Sequence, residues 1–125
     1  MHTVFVYGTL KRNHGNHRLL QRAEFLGTAI SVGTRYRMLN GGVPFLKQMR
    51  TGARVRGELY RVTDEELQRL DALEGHPYSY RRFQREFITA DYRIVKAWVY
   101  LWNHSMHHRY QVPPKADGIL EWSRR

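Results

Sequence analysis

The chain reads as an α+β domain built on a strongly curved sheet or small barrel. Six stretches have strand character, one long helix signal falls midway, and strands and helices do not alternate regularly, which disfavours a doubly wound parallel sheet. A length of 125 residues with 42% hydrophobic content fits one globular domain with a real core, spanning 1–125. Pro and Gly are scattered and no repeat or low-complexity stretch divides the chain, so no linker is expected.

Residues 3–7 are β-branched and aromatic and are bounded by Gly8, which predicts a short buried strand ending in a loop. Residues 16–23 are expected to form a short helix, with Leu19 and Leu20 toward the core and Arg18 and Arg22 outward. Strands follow at 25–30, 34–39 and 54–62; in the last, Val55, Gly57, Leu59 and Arg61 alternate with Arg54, Arg56, Glu58 and Tyr60. Gly41 and Gly42 mark a turn before Val43, Pro44 and Phe45, where proline requires a tight bend or a sheet edge.

Thr63-Asp64-Glu65-Glu66 is a capping box, so the best-defined helix starts there and carries Leu67, Leu70, Leu73 and Glu74 along one core-facing side. Gly75 suits the position just past its end, and His76-Pro77 prevents continuation. Residues 82–89 and 93–102 read as two strands joined around Ala90-Asp91-Tyr92. The second is apolar on both faces and should be central. The tail, 103–125, has no clear periodicity and either wraps the surface or covers the site.

Cysteine is absent, which excludes disulfides and thiolate chemistry and makes the cytoplasm the expected location. The N-terminus lacks the pattern of a signal peptide, and no apolar run approaches the ~18 residues of a membrane span, so no membrane partner is expected. The formal charge is +10, with 17 Arg against 4 Lys. A basic total favours nonspecific attraction to anionic partners. The arginines are nevertheless dispersed and no nucleic-acid-reading module is identifiable, so nucleic acid is a minor expectation.

Glu74 draws attention because a carboxylate on the core-facing side of a helix needs a reason. It either accepts a hydrogen bond from a neighbouring Arg or amide, or it is partly removed from water, its pKa rises above ~4.3, and it serves as base and then acid near neutral pH. Tyr7-Gly8-Thr9-Leu10 is either an ordinary turn or a nest of N–H groups, with Gly8 allowing close approach, that binds a carboxylate or an oxyanion. Tyr78 and Tyr80 follow the helix closely enough to orient the carboxylate or a ligand. His104, His107 and His108 have a spacing that a helix could turn toward one ion, but neither they nor His14 and His17 have an acidic or Cys partner, so no metal site is expected. No nucleophile elbow, catalytic triad or phosphate-binding glycine loop is present.

Several ordered motifs point the same way: Val4-Phe5-Val6-Tyr7-Gly8-Thr9-Leu10-Lys11, Asn16-His17, Phe25-Leu26-Gly27, Val43-Pro44-Phe45-Leu46, Val55-Arg56-Gly57-Glu58-Leu59-Tyr60, Leu70-Asp71-Ala72-Leu73-Glu74-Gly75 and Tyr80-Arg81-Arg82. Together they resemble the gamma-glutamylcyclotransferase-like family, in its small AIG2-like branch, over a region from Val4 to about Leu101; 103–125 matches loosely. The resemblance implies a small mixed β-barrel with flanking helices. It implies a Tyr7-Gly8-Thr9-Leu10 loop that cradles a glutamyl group, Glu74 as the acid/base, and Tyr80 as a substrate contact. The implied partner is a small gamma-glutamyl amine: its free alpha-amine attacks its own gamma-carbonyl, closes 5-oxoproline and expels an amine, without cofactor or metal. The chemistry agrees, since one carboxylate can take a proton from the attacking amine and return it to the departing one. Two alternatives stand beside this. One is removal of a gamma-glutamyl group from a biosynthetic intermediate or protein; the other is a noncatalytic ligand- or nucleic-acid-binding module of the same fold. The leaving amine and the oligomeric state are left open.

Overall fold

A computed structural model describes residues 1–105 and 110–123. The strands are β1 (His2–Val6), β2 (Glu24–Ser31), β3 (Tyr36–Asn40), β4 (Pro44–Gln48), β5 (Arg56–Val62), β6 (Tyr80–Thr89), β7 (Ile94–Trp102) and β8 (Tyr110–Gln111); the helix α1 spans Asp64–Glu74. Five strands close a barrel in the order β1-β5-β2-β6-β7, and β4-β3-β8 form a second small sheet. The barrel is mixed. Its seam is the parallel pairing of β1 with β7 at Val4 and Trp98, and its other ladders are antiparallel. The small barrel predicted from the sequence is therefore present, flanked among the described residues by one α-helix and one 3-10 turn.

β1 and β7 are largely apolar on both faces because both of their faces are covered. Phe5 of β1 and Tyr7 just after it join the inner core, where Phe5 and Phe87 stack with ring centroids 4.0 Å apart. Val4 and Val6 face outward into a second core with Leu67 and Leu70 of α1. Burying leucines such as these contributes ~2–3 kcal/mol each. β7 lies between β6 and β1, the central place that its two apolar faces predict. Pro44 opens β4 on the outer edge of the small sheet, where a missing N–H costs no ladder bond.

α1 starts as its sequence requires: Thr63 Oγ1 accepts from the Glu66 amide at 3.1 Å and Glu66 Oε1 accepts from the Thr63 amide at 2.8 Å. It stops at Gly75, whose φ of 65° is left-handed and whose successor's amide donates to the Asp71 carbonyl at 2.9 Å. Leu67 and Leu70 are buried as expected, but Leu73 is 42% exposed. The last turn of the helix overhangs a cavity instead of barrel wall, and Leu73 sits on its rim.

The helix expected over 16–23 is only a four-residue 3-10 turn, His17–Leu20. Asn16 and His17 are tied back to the turn after β1, and β2 begins at Glu24, which leaves no length for an α-helix. The tail is integrated rather than loosely draped. Tyr110–Gln111 pairs with β3, Leu120 is buried beside Val55, and Lys11, itself buried, donates to the Trp122 carbonyl at 2.7 Å.

Candidate active site

The last turn of α1, the turn after β1, the β3–β4 turn, the start of β6 and the end of β7 line a partly open cavity of about 200 Å³. Glu74 lies in its wall because the capping box fixes where α1 begins and Gly75 fixes where it ends. Asp71, one turn earlier, holds that end of the helix to the barrel. Its carboxylate accepts from Arg82 Nε at 2.9 Å and Nη2 at 3.3 Å, and from the Tyr100 hydroxyl at 2.7 Å. Arg82 in turn stacks over Trp98, 4.2 Å from the ring centre. Burial pushes the Asp71 carboxyl up, but the Arg82 and Tyr100 hydrogen bonds outweigh it and hold the group below the usual carboxylate range.

Glu74 has the opposite environment. No group among the described residues donates a hydrogen bond to its carboxylate, and burial raises its pKa from 4.5 to about 7. Three tyrosines share the cavity, and burial raises the pKa of each, so they are neutral near pH 7. Their protons are committed elsewhere: Tyr7 to the Tyr100 carbonyl at 2.7 Å, Tyr80 to the Pro44 carbonyl at 2.9 Å, Tyr100 to Asp71. Glu74 is thus the group lining this cavity that titrates near neutrality.

The turn after β1 supplies the other half. Its carbonyls are all occupied: Gly8 O by the Lys11 amide, Thr9 O by the Asn16 amide, and Leu10 O by the His17 ring, whose Nδ1 must carry the proton. Asn16 Nδ2 also donates to Thr9 Oγ1 at 3.0 Å, and the buried Glu58 takes the Arg12 amide at 2.9 Å. The amides of Gly8, Thr9 and Leu10, by contrast, have no acceptor among the described residues, although Gly8 and Leu10 are buried. Unpaired buried N–H groups are uncommon, and in a cavity wall they are ready for a carboxylate or an oxyanion. Glycine is required at position 8 because an added Cβ would lie 2.5 Å from Pro44 Cγ.

Tyr7, Gly8, Thr9, Leu10, Glu74 and Tyr80, singled out from the sequence, therefore line one cavity. Tyr78 does not; it is 80% exposed. Tyr100, Asn16 and Pro44 line the cavity too; Asn16 and Pro44 stand in motifs noted in the sequence that give them no place at a site, and nothing in the sequence singles out Tyr100. Tyr100 reads as one more apolar residue of a central strand, and Asn16 acts only through a turn that closes seven residues back. The histidines His14, His17 and His104 make hydrogen bonds with the backbone carbonyls of Arg12, Leu10 and Tyr78; His107 and His108 lie outside the described residues. Among the described residues no group of three His, Cys, Asp or Glu could hold a metal, and no helix is long and apolar enough to cross a membrane.

Fold and cavity together define a class: small closed-barrel proteins that face one largely buried carboxylate with a turn whose amides have no acceptor among the described residues. Similarity to known proteins says which. The chain belongs to the gamma-glutamyl cyclotransferase, AIG2-like, family, whose model matches residues 4–123. A Methanocaldococcus jannaschii protein provisionally named a gamma-glutamylcyclotransferase is 33% identical over 96% of this chain and 91% of its own length. The human gamma-glutamylaminecyclotransferase is 37% identical over 66% of this chain and 59% of its own length. The crystal structure of an AIG2-like protein from mouse superposes with a TM-score of 0.75 at 28% identity, covering 99% of this chain and 97% of that one.

Proposed function

We propose that the chain is a gamma-glutamylamine cyclotransferase that converts a gamma-glutamyl amine into 5-oxoproline and a free amine. The observation that carries this is the meeting, in one small cavity, of a carboxylate with a pKa of about 7 and a turn with three unpaired amides. A glutamyl head is a zwitterion, and the cavity offers a counter-charge for its ammonium and donors for its carboxylate. At about 200 Å³ it is smaller than the ~300–1,000 Å³ of drug-sized sites, which suits a single amino-acid unit.

In this reading ionised Glu74 takes a proton from the alpha-ammonium. The freed amine attacks the gamma-carbonyl carbon, a C–N bond forms, and the carbonyl becomes a tetrahedral oxyanion. Glu74 then passes the proton to the departing nitrogen as the original C–N bond breaks. The attacking nitrogen gives up a second proton to Glu74, which passes it to the leaving nitrogen in the same way, so two protons leave the alpha-nitrogen, both end on the leaving amine, and an ammonium enters and an ammonium departs with no water or cofactor consumed. A pKa near 7 keeps both forms of Glu74 populated at neutral pH, as a group that alternates between base and acid requires. The amides of Gly8 to Leu10 hold the alpha-carboxylate or stabilise the oxyanion. Confinement of amine and carbonyl in attacking geometry supplies the remaining acceleration.

The test is 5-oxoproline release from a panel of gamma-glutamyl amines, gamma-glutamyl dipeptides and glutathione, with wild type and Glu74→Gln side by side. The amide keeps the shape and removes the base, so turnover should fall by ~10²–10⁴ while the glutamyl product still binds. Equal turnover by the two proteins would sink the assignment of Glu74. Absence of release from every compound would sink the cyclotransferase reading.

A further inference from the structure

Beside the cavity a larger groove of about 700 Å³ runs along the C-terminal tail. Thr9 lines both spaces, and where Val43 lines the cavity its neighbour Gly42 lines the groove. The cavity has room for the glutamyl unit, so the amine beyond the scissile bond must lie outside it. The first surface it meets is apolar: Leu73 and Val43 line the cavity and are each 42% exposed.

The groove has its own chemistry. Its acid, Glu121, shares the Arg56 guanidinium with Asp117, at 3.1 and 2.7 Å, and the buried Lys11 also lies within electrostatic reach of it, so two cations answer the two acids. Its base, Lys115, donates only to Ser123 Oγ at 2.9 Å, which leaves two ammonium N–H bonds without an acceptor among the described residues. Tyr110, 85% exposed, and Trp122 add aromatic surface. The wall is preformed, since buried Lys11 grips the Trp122 carbonyl and Leu120 is fixed in the core. The net charge of +10 favours the same sign of ligand as Lys115 does.

We propose that this groove is the leaving-group subsite, that it takes an extended amine with an apolar stem and an anionic end, and that Lys115 is its specificity-determining residue. The proposal rests on the cyclotransferase reading of the adjoining cavity. It also gives the tail a task, that of choosing which amine is released.

Three length-matched substrates test it, the gamma-glutamyl amides of aminocaproate, hexylamine and diaminohexane, with gamma-glutamyl ethylamide as the short reference. Wild type should favour the aminocaproate amide over the hexylamide, and the hexylamide over the cationic amide. Lys115→Glu exchanges attraction for repulsion and should change the ratio of kcat/KM between the anionic and cationic amides by about tenfold in favour of the cationic one. Lys115→Arg should keep the wild-type order. Should Lys115→Glu fold poorly, the wild-type preference must still weaken as salt is raised, because exposed charges are screened. Release from the ethylamide with no charge preference among the three longer amides, or a preference that Lys115→Glu leaves untouched, overturns the subsite and spares the cyclotransferase. No release even from the ethylamide overturns the cyclotransferase reading and the subsite with it.

Discussion

Replacing Glu74 with glutamine should make the protein more stable, and only at the pH where the carboxylate would be charged. Burial raises the folded-state pKa of Glu74 from 4.5 to about 7. The fold therefore prefers the protonated acid. Below pH 4.5 the side chain is protonated in folded and unfolded chains alike, and the two proteins should be equally stable. From there the wild type loses stability relative to Glu74→Gln as pH rises, and the difference is complete once pH passes about 7. A tenfold change in a protonation equilibrium corresponds to ~1.4 kcal/mol, so the full difference is about 3 kcal/mol. For a chain of this size that amounts to roughly 10 °C in Tm. The assay is thermal unfolding of both proteins from about pH 4 to about pH 8.5, with no substrate needed. The same carboxylate should give the kcat/KM profile of the wild type an acid limb with its midpoint near pH 7. A Tm difference that does not grow with pH, or a glutamine variant less stable at about pH 8, would refute the claim that Glu74 is held in a desolvated, unpaired state. A site that keeps a charge at a cost to stability trades stability for chemistry.

Two further substitutions test the walls of the cavity. Gly8→Ala would press a methyl group to 2.5 Å from Pro44 Cγ; it should cost ~1–3 kcal/mol of stability and raise KM by tilting the free amides, and unchanged melting and KM would contradict the packing argument. Asp71→Asn should destabilise by about 2 kcal/mol in denaturant at neutral pH by weakening the hold on Arg82 and Tyr100. Because the folded Asp71 carboxyl lies below 3.8, this gap should narrow only as pH falls below that value, and a gap that closes already at about pH 5 would be inconsistent with the hydrogen bonds described.

Much of α1 is legible from the chain. The capping box Thr63 to Glu66, the leucines at 67 and 70 and Gly75 specify a helix of one length with Glu74 in its last turn, because each signal acts within a few residues. Gly8 after an apolar strand likewise marks a turn wherever the strand goes. Leu73 departs from its expected burial because helical periodicity says which residues share a side, not whether barrel wall or empty space lies beneath the last turn. The turn at His17–Leu20 falls short of a helix because contacts with Thr9 and Leu10 override its helical pattern.

By itself, then, the sequence determined the local pieces: a strand that ends in a glycine turn, a helix that ends in a carboxylate, and the class of domain they belong to. Only the tertiary structure decided that the two ends meet. Closing β1 against both β5 and β7 places the Gly8 turn and the last turn of α1 around one cavity, although they are far apart in the chain. It also decided the electrostatics. Whether a carboxylate keeps its water, and whether an amide finds an acceptor, depends on what long-range packing places beside it, and residues such as Asn16, Tyr100 and Lys11 acquire their roles only through those contacts.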